Sequence, residues 1–203
     1  MLLNHDQIIH EITENRIIEG ALLENVNASS LDIRLGRFIL VESNLHSVSH
    51  SGYHPKILSL RNRDPLCTTK VDLEKEKCFV LRPGQFILAQ SIEIFHLPLY
   101  ITAEYVLKSS MARVGLEHLN AGYCDPGWNN SVLTLELRNM TTFHEIELCY
   151  GDKIGQIKFH KHEPVDLDNS YARKGTYNGD KTVSSAKPEV GAEPYVSCKS
   201  CQE

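Results

Sequence analysis

In the run Val132-Leu133-Thr134-Leu135-Glu136-Leu137-Arg138 apolar and polar residues alternate from Leu133 onward, with leucines at 133, 135 and 137 and polar residues at 134, 136 and 138. Successive strand side chains point to opposite faces, so this spacing predicts a half-buried β-strand that turns Glu136 away from its leucine face. Further short apolar-alternating runs lie at 37–41, 78–81, 85–94, 145–149 and 153–159. Pro83-Gly84, Asp125-Pro126-Gly127 and Gly151-Asp152 punctuate them. Short strands bounded by turn residues predict a mainly β domain, a largely antiparallel sandwich or barrel. The N-terminus differs: Asn4 suits a helix N-cap, and Ile8, Ile9, Ile12, Ile17 and Ile18 recur near helical spacing, which predicts a short amphipathic helix ending near Gly20.

The 203 residues suffice for one well-buried domain, here 1–162, followed by a tail at 163–203. Past Glu163 the apolar alternation stops and Lys, Gly, Ser, Asp and Pro dominate, so the tail builds no core of its own. Such a segment is either simply mobile or a flap that orders on a ligand. A net charge of -5 argues against a nucleic-acid coat, and no stretch approaches the roughly 20 apolar residues of a membrane span. The expectation is a soluble, cytoplasmic protein. Six scattered cysteines form no dense framework, so reduced thiols are expected. Cys198-Lys-Ser-Cys201 is the only C-x-x-C, half of a zinc pattern that His160 and His162 could complete only by long-range closure.

Between Lys108 and Glu136 the chain concentrates hydroxyls, cations and carboxylates in one turn-interrupted block. Taken singly these residues are ordinary: Lys108 a surface lysine, Asp125 a turn residue opening Pro-Gly, Glu136 a solvated strand carboxylate. Their order is not. Ser-Leu-Asp-Ile-Arg-Leu-Gly (30–36), Leu-Arg-Pro-Gly-Gln-Phe (81–86), Lys-Ser-Ser-Met-Ala-Arg-Val-Gly-Leu (108–116), Ala-Gly-Tyr-Cys-Asp-Pro-Gly-Trp (121–128), Leu-Thr-Leu-Glu (133–136) and Ile-Gly-Gln (154–156) follow one another along the chain.

This series resembles the dCTP deaminases of the dUTPase-like superfamily, from the first helix to about Tyr177. The resemblance implies a dUTPase-like distorted β-barrel or jelly roll with a flexible C-terminal tail. It implies a homotrimer or hexamer with active sites between subunits, and conversion of dCTP to dUTP and ammonia without catalytic zinc. Mg²⁺ is expected to arrive with the substrate triphosphate, and dTTP inhibits part of the family. Zinc deaminases carry H-x-E and P-C-x-x-C; here no His is followed two residues later by Glu, and Ser197 precedes Cys198.

By family match, Glu136 is the proton-transferring carboxylate, Ser109 positions the water, Arg113 orients both, and the Ala121 carbonyl completes the water site. Lys108, Ser110 and Arg113, with Met111 and Ala112 between them, lie in the phosphate-binding run, and Tyr171 meets the phosphates from the tail. Asp125 corresponds to the residue that binds the deoxyribose 3′-hydroxyl, with Tyr123 and Trp128 near sugar and base. Thr134 and Leu135 line the pyrimidine edge beside Glu136, and Gln156 joins the substrate set. The family's tail pattern Lys-Tyr-Gln-Gly-Gln reads Thr176-Tyr177-Asn178-Gly179-Asp180 here, and Lys108 stands where Arg is common. Lys174 or Lys181 is then the substitute cation, and Asp180 puts a negative charge near a triphosphate unless Mg²⁺ or a lysine intervenes. Two alternatives stand beside plain deamination. One is a bifunctional enzyme that also hydrolyses dUTP to dUMP, through the aspartate at 125; the other is a catalytically weak nucleotide-binding protein.

Overall fold

The computed structural model describes residues 1–43, 48–49, 52–53 and 57–187. Helix α1 (His5–Thr13) begins with a full capping box, the Asn4 side chain accepting from the Gln7 N–H while the Gln7 side chain accepts from the Asn4 N–H. It stops well before Gly20, where the isoleucine spacing predicts its end. Glu14 is its C-cap, Arg16 beyond it takes a φ of 51°, and Ile18 enters strand β1 (Ile18–Glu19). Ile8, Ile17 and Ile18 are all buried, so one apolar set serves two elements.

The strands that follow among the described residues are β2 (Leu31–Glu42), β3 (Val48–Ser49), β4 (Gly52–Tyr53), β5 (Thr68–Asp72), β6 (Cys78–Leu81), β7 (Phe86–His96), β8 (Ile101–Leu107), β9 (Leu116–Glu117), β10 (Tyr123–Cys124), β11 (Asn129–Asn139), β12 (Ile146–Cys149) and β13 (Lys153–Lys161). Three short helices interrupt them, α2 (Leu73–Glu76), α3 (Ser109–Arg113) and α4 (Tyr171–Lys174). The main sheet runs β10-β8-β13-β2-β7-β11-β9, with β1 added to β7 and β5 to β2, and all its pairs are antiparallel. It curls around a core that includes Ile39, Phe95, Leu135, Leu137 and Phe159. The fold is mainly β, as the alternation predicts.

Strand β11 behaves as its sequence says: Leu133, Leu135 and Leu137 are buried, Thr134 and Glu136 are partly buried, and Arg138 is exposed. By contrast β8 is absent from the predicted runs. Ile101, Thr102 and Ala103 are buried in succession, and burial on both faces blurs a period of two. Its Tyr105 ring lies where a Cβ on Gly155 of β13 would stand, which explains the glycine in Ile154-Gly155-Gln156.

The cysteines correct one expectation. Cys78 and Cys149 face each other in the β6–β12 ladder, Cα atoms 4.0 Å apart, and are disulfide-bonded. Their sequence separation of 71 hides a neighbourhood that only strand pairing creates. Cys67 and Cys124 are free, whereas Cys198 and Cys201 lie outside the described residues.

Past β13 the chain borrows the barrel's polar groups. The Val132 N–H donates to the Asp180 carbonyl at 2.8 Å and the Gly179 N–H to the Asn129 carbonyl at 3.1 Å. Gln90 Oε1 accepts from both the Thr182 hydroxyl and the Val183 N–H at 3.1 Å, and Val183 is buried. No helix among the described residues is long and apolar enough to cross a membrane.

Candidate active site

Glu136 sits on the polar face of β11 opposite Leu88 of β7, with the Arg138–Phe86 pair two residues further along the ladder on the same face. Phe86, Leu88 and Leu133 join it in lining a hollow of about 390 Å³. Burial among these apolar neighbours pushes the Glu136 carboxyl up to about 7, while a hydrogen bond from its own backbone N–H pulls weakly the other way. Its charge is felt in turn by Tyr105, whose phenol is raised first by burial and then by Glu136. A carboxyl balanced near neutrality can take a proton in one step and return it in the next.

Ala121, Tyr123, Asp125, Trp128, Thr134, Tyr171, Tyr177 and Asp180 line the same hollow. Strand β10 delivers Tyr123 by pairing with β8, and the Asp125-Pro126-Gly127 turn follows, closed by the Trp128 N–H donating to the Asp125 carbonyl at 3.2 Å. That bond uses the Asp125 backbone and leaves its carboxylate on an exposed residue. Gly127 has a φ of +85°, the left-handed geometry that this turn requires. Trp128 is chiefly a core residue, buried and stacked on Phe95 with ring centroids 5.3 Å apart; its indole N–H donates to the Tyr177 carbonyl. Tyr123 is exposed at the rim. Cys124 also borders the space, but burial and then Asp125 push its thiol up to about 12, which makes it a poor nucleophile.

Tail residues complete the wall. The Tyr177 N–H donates to the Tyr171 hydroxyl, and the Lys187 N–H to the Tyr177 hydroxyl, both at 3.2 Å. Asp180 is neutralised by Lys187, whose ammonium lies 2.6 Å from Oδ2, and accepts from the Ser184 hydroxyl at 2.7 Å. A lysine does intervene, and it is Lys187. Lys174 instead donates to Asn169 Oδ1 at 2.8 Å, and Lys181 is exposed.

The cationic half stands apart. Lys108, Met111 and Arg113 line a second hollow of about 910 Å³ together with Lys153 and His144. Ser109, Ser110, Ala112 and Arg113 are exposed on α3. Among the described residues no hydrogen bond joins Ser109 or Arg113 to Glu136 within one copy. Leu135 is in the leucine core, so only its backbone can face the hollow. Gln156 donates to Asp32 at 3.3 Å, beside Lys108, and so groups with the cations rather than with Glu136. Asp32, Gln90 and Lys187 are site-bordering residues that sequence reading missed. Asp32 had a signal, its place in Ser-Leu-Asp-Ile-Arg-Leu-Gly.

Residues 2–162 match the family model described as dCTP deaminase-like. The chain belongs to the dCTP deaminase-like family. A protein of Pseudarthrobacter chlorophenolicus named "dCTP deaminase, dUMP-forming" is 37% identical over 164 residues, which cover 78% of this chain and 79% of that protein. A protein of the same name from Corynebacterium glutamicum is 34% identical over 191 residues, covering 92% and 96%. The crystal structure of 2′-deoxycytidine 5′-triphosphate deaminase from Agrobacterium tumefaciens superposes with a TM-score of 0.59 at 22% identity, over 79% of this chain and 48% of that one. That likeness shows that the chain shares the fold of that deaminase. The matched region ends at His162, so the tail that walls the Glu136 hollow lies beyond it.

Proposed function

We propose that this protein deaminates dCTP and carries the product on to dUMP. One observation carries the reading: Glu136, with a carboxyl pushed up to about 7, shares a hollow with Asp125 and two tail tyrosines. The dUMP-forming relatives favour this route over release of dUTP, toward which the motif resemblance alone leans.

In the first step the Glu136 carboxylate removes a proton from the water that attacks C4 of the cytosine ring. It hands that proton to N3, then takes the proton of the new C4 hydroxyl and passes it to the amine, which leaves as ammonia as the C4 carbonyl forms. A second water cleaves the α–β phosphoanhydride, releasing pyrophosphate, with the exposed Asp125 carboxylate as base. The triphosphate enters with Mg²⁺ as part of the substrate. Because Ser109 and Arg113 lie outside the Glu136 hollow, the complete site forms where α3 of one copy meets β11 of another, in a homotrimer or a multiple of it.

Purified protein incubated with dCTP and Mg²⁺ tests the reading by product identity. Ammonia, pyrophosphate and dUMP are expected. Accumulation of dUTP without pyrophosphate would reduce the activity to deamination alone, and dCTP binding with no ammonia above a Glu136→Gln control would leave only a nucleotide-binding protein.

A further inference from the structure

Asp32, from the Ser-Leu-Asp-Ile-Arg-Leu-Gly run, lies on β2 opposite Gln156 of β13, with its side chain only 6% exposed. One oxygen, Oδ1, accepts from the Lys108 ammonium at 2.7 Å, the Asn27 amide at 2.9 Å and the Gln156 amide at 3.3 Å. The other, Oδ2, lies 3.7 Å from the Lys153 ammonium. Lys108 and Lys153 both line the hollow that also holds Arg113.

Burial by itself would push the Asp32 carboxyl up. The hydrogen bonds from Lys108, Asn27 and Gln156 outweigh it and hold the group below the usual carboxylate range, so it stays charged at neutral pH. A buried carboxylate is costly to keep, and replacing such a group is often neutral or stabilising unless it serves something besides the fold. What it gathers is specific. Lys108 is the N-cap residue of α3 and has a long, flexible side chain; bonding to Asp32 occupies one of its three N–H donors and leaves two. Gln156 keeps its second amide N–H and its carbonyl.

We propose that Asp32 is a positioning residue, which fixes Lys108 and Gln156 in advance for the phosphate end of the nucleotide. This rests on the reading of the chain as a dCTP-processing enzyme. Lysine gains from such an anchor because, unlike the arginine common at this position in the family, it has no planar fork to orient it. Asp32 does not line the Glu136 hollow, so its effect falls on binding and spares the chemical step.

The test is Asp32→Asn in the full chain, a change that keeps the shape and removes the charge. Expected are a KM for the Mg²⁺ complex of dCTP at least tenfold higher, kcat within about threefold of wild type, and inhibition by inorganic tripolyphosphate weakened at least tenfold. A KM and a tripolyphosphate inhibition within twofold of wild type would overturn the proposal, as would a loss confined to kcat. Should the Asn variant fail to fold, Lys108→Met decides: unchanged tripolyphosphate inhibition shows that the residue Asp32 holds does not face phosphate, and a tenfold loss supports the assignment. Wild-type protein that makes no ammonia from dCTP sinks the proposed function itself, whereas an active wild type with an indifferent Asp32→Asn sinks only this inference.

Discussion

At the scale of single residues, Glu136 and Asp32 are carboxylates pushed in opposite directions by the same fold. Glu136 has apolar neighbours and a carboxyl raised to about 7; Asp32 has three donors and is lowered. If Glu136 must be ionised to take the first proton, kcat/KM falls about tenfold per pH unit below 7 and levels off above it. A pH–rate profile checks this. The stability effect has the opposite sign. A carboxyl raised in the folded state stabilises the fold while protonated, and that contribution is lost as pH rises through 7. Its full size is about 3 kcal/mol, taken from the distance between ordinary and raised values. Wild type should therefore lose stability relative to Glu136→Gln between about pH 4.5 and 7 in urea titrations and change little above that, while the same variant lowers kcat by about 10²–10⁴-fold. The orientation of Glu136 is legible from alternation alone. The role of Asp32 is not, because its partners come from positions 108, 153 and 156 and meet only when β2, β8 and β13 pair.

At the scale of elements, turn residues and alternation mark β6, β7, β11, β12 and β13 to within a few residues and the second half of β2, and Asn4 marks the start of α1. The short strands β1, β3, β4, β5, β9 and β10 escape, most of them too brief to show a period, β8 escapes because it is buried on both faces, and α1 ends at Thr13 despite continuing isoleucines. The Cys78–Cys149 bond escapes too, since no local pattern encodes a ladder between β6 and β12. These two strands form a sheet separate from the main one, and β12 lines the cationic hollow. A cross-link spanning 71 residues restricts the unfolded chain by about 4 kcal/mol in the chain-entropy model. Reduction should lower the melting temperature by roughly 10 °C. Calorimetry with and without a phosphine reductant checks it, and a Cys78→Ser, Cys149→Ser double variant should melt at the reduced value under both conditions.

At the scale of the whole molecule, one copy holds the parts of the site in two places, Glu136 with Asp125 and the tail in one hollow, Lys108 with Arg113 in another. Sequence order puts Lys108, Arg113, Asp125 and Glu136 in one block, and only the family resemblance, with its active sites between subunits, points to this division. The proposed assembly of copies would bring the two hollows together, and it makes a distinctive forecast. Arg113→Ala and Glu136→Gln proteins, each inactive alone, should regain part of the wild-type ammonia production after being mixed and reassembled, because some shared sites then carry both intact residues. Continued inactivity of well-folded mixed oligomers would put the two residues in one copy. Truncation before Tyr171 removes two walls of the Glu136 hollow and should raise KM for dCTP more than tenfold, read by steady-state kinetics.

The most direct measurement follows labelled dCTP, with Mg²⁺ and an excess of unlabelled dUTP, and counts ammonia and pyrophosphate as the label moves. The expected result is one ammonia per labelled dCTP consumed, with the label appearing in dUMP and with none of these products from Glu136→Gln. Consumption of dCTP without ammonia, or equal turnover by the Glu136→Gln protein, would contradict deamination at Glu136.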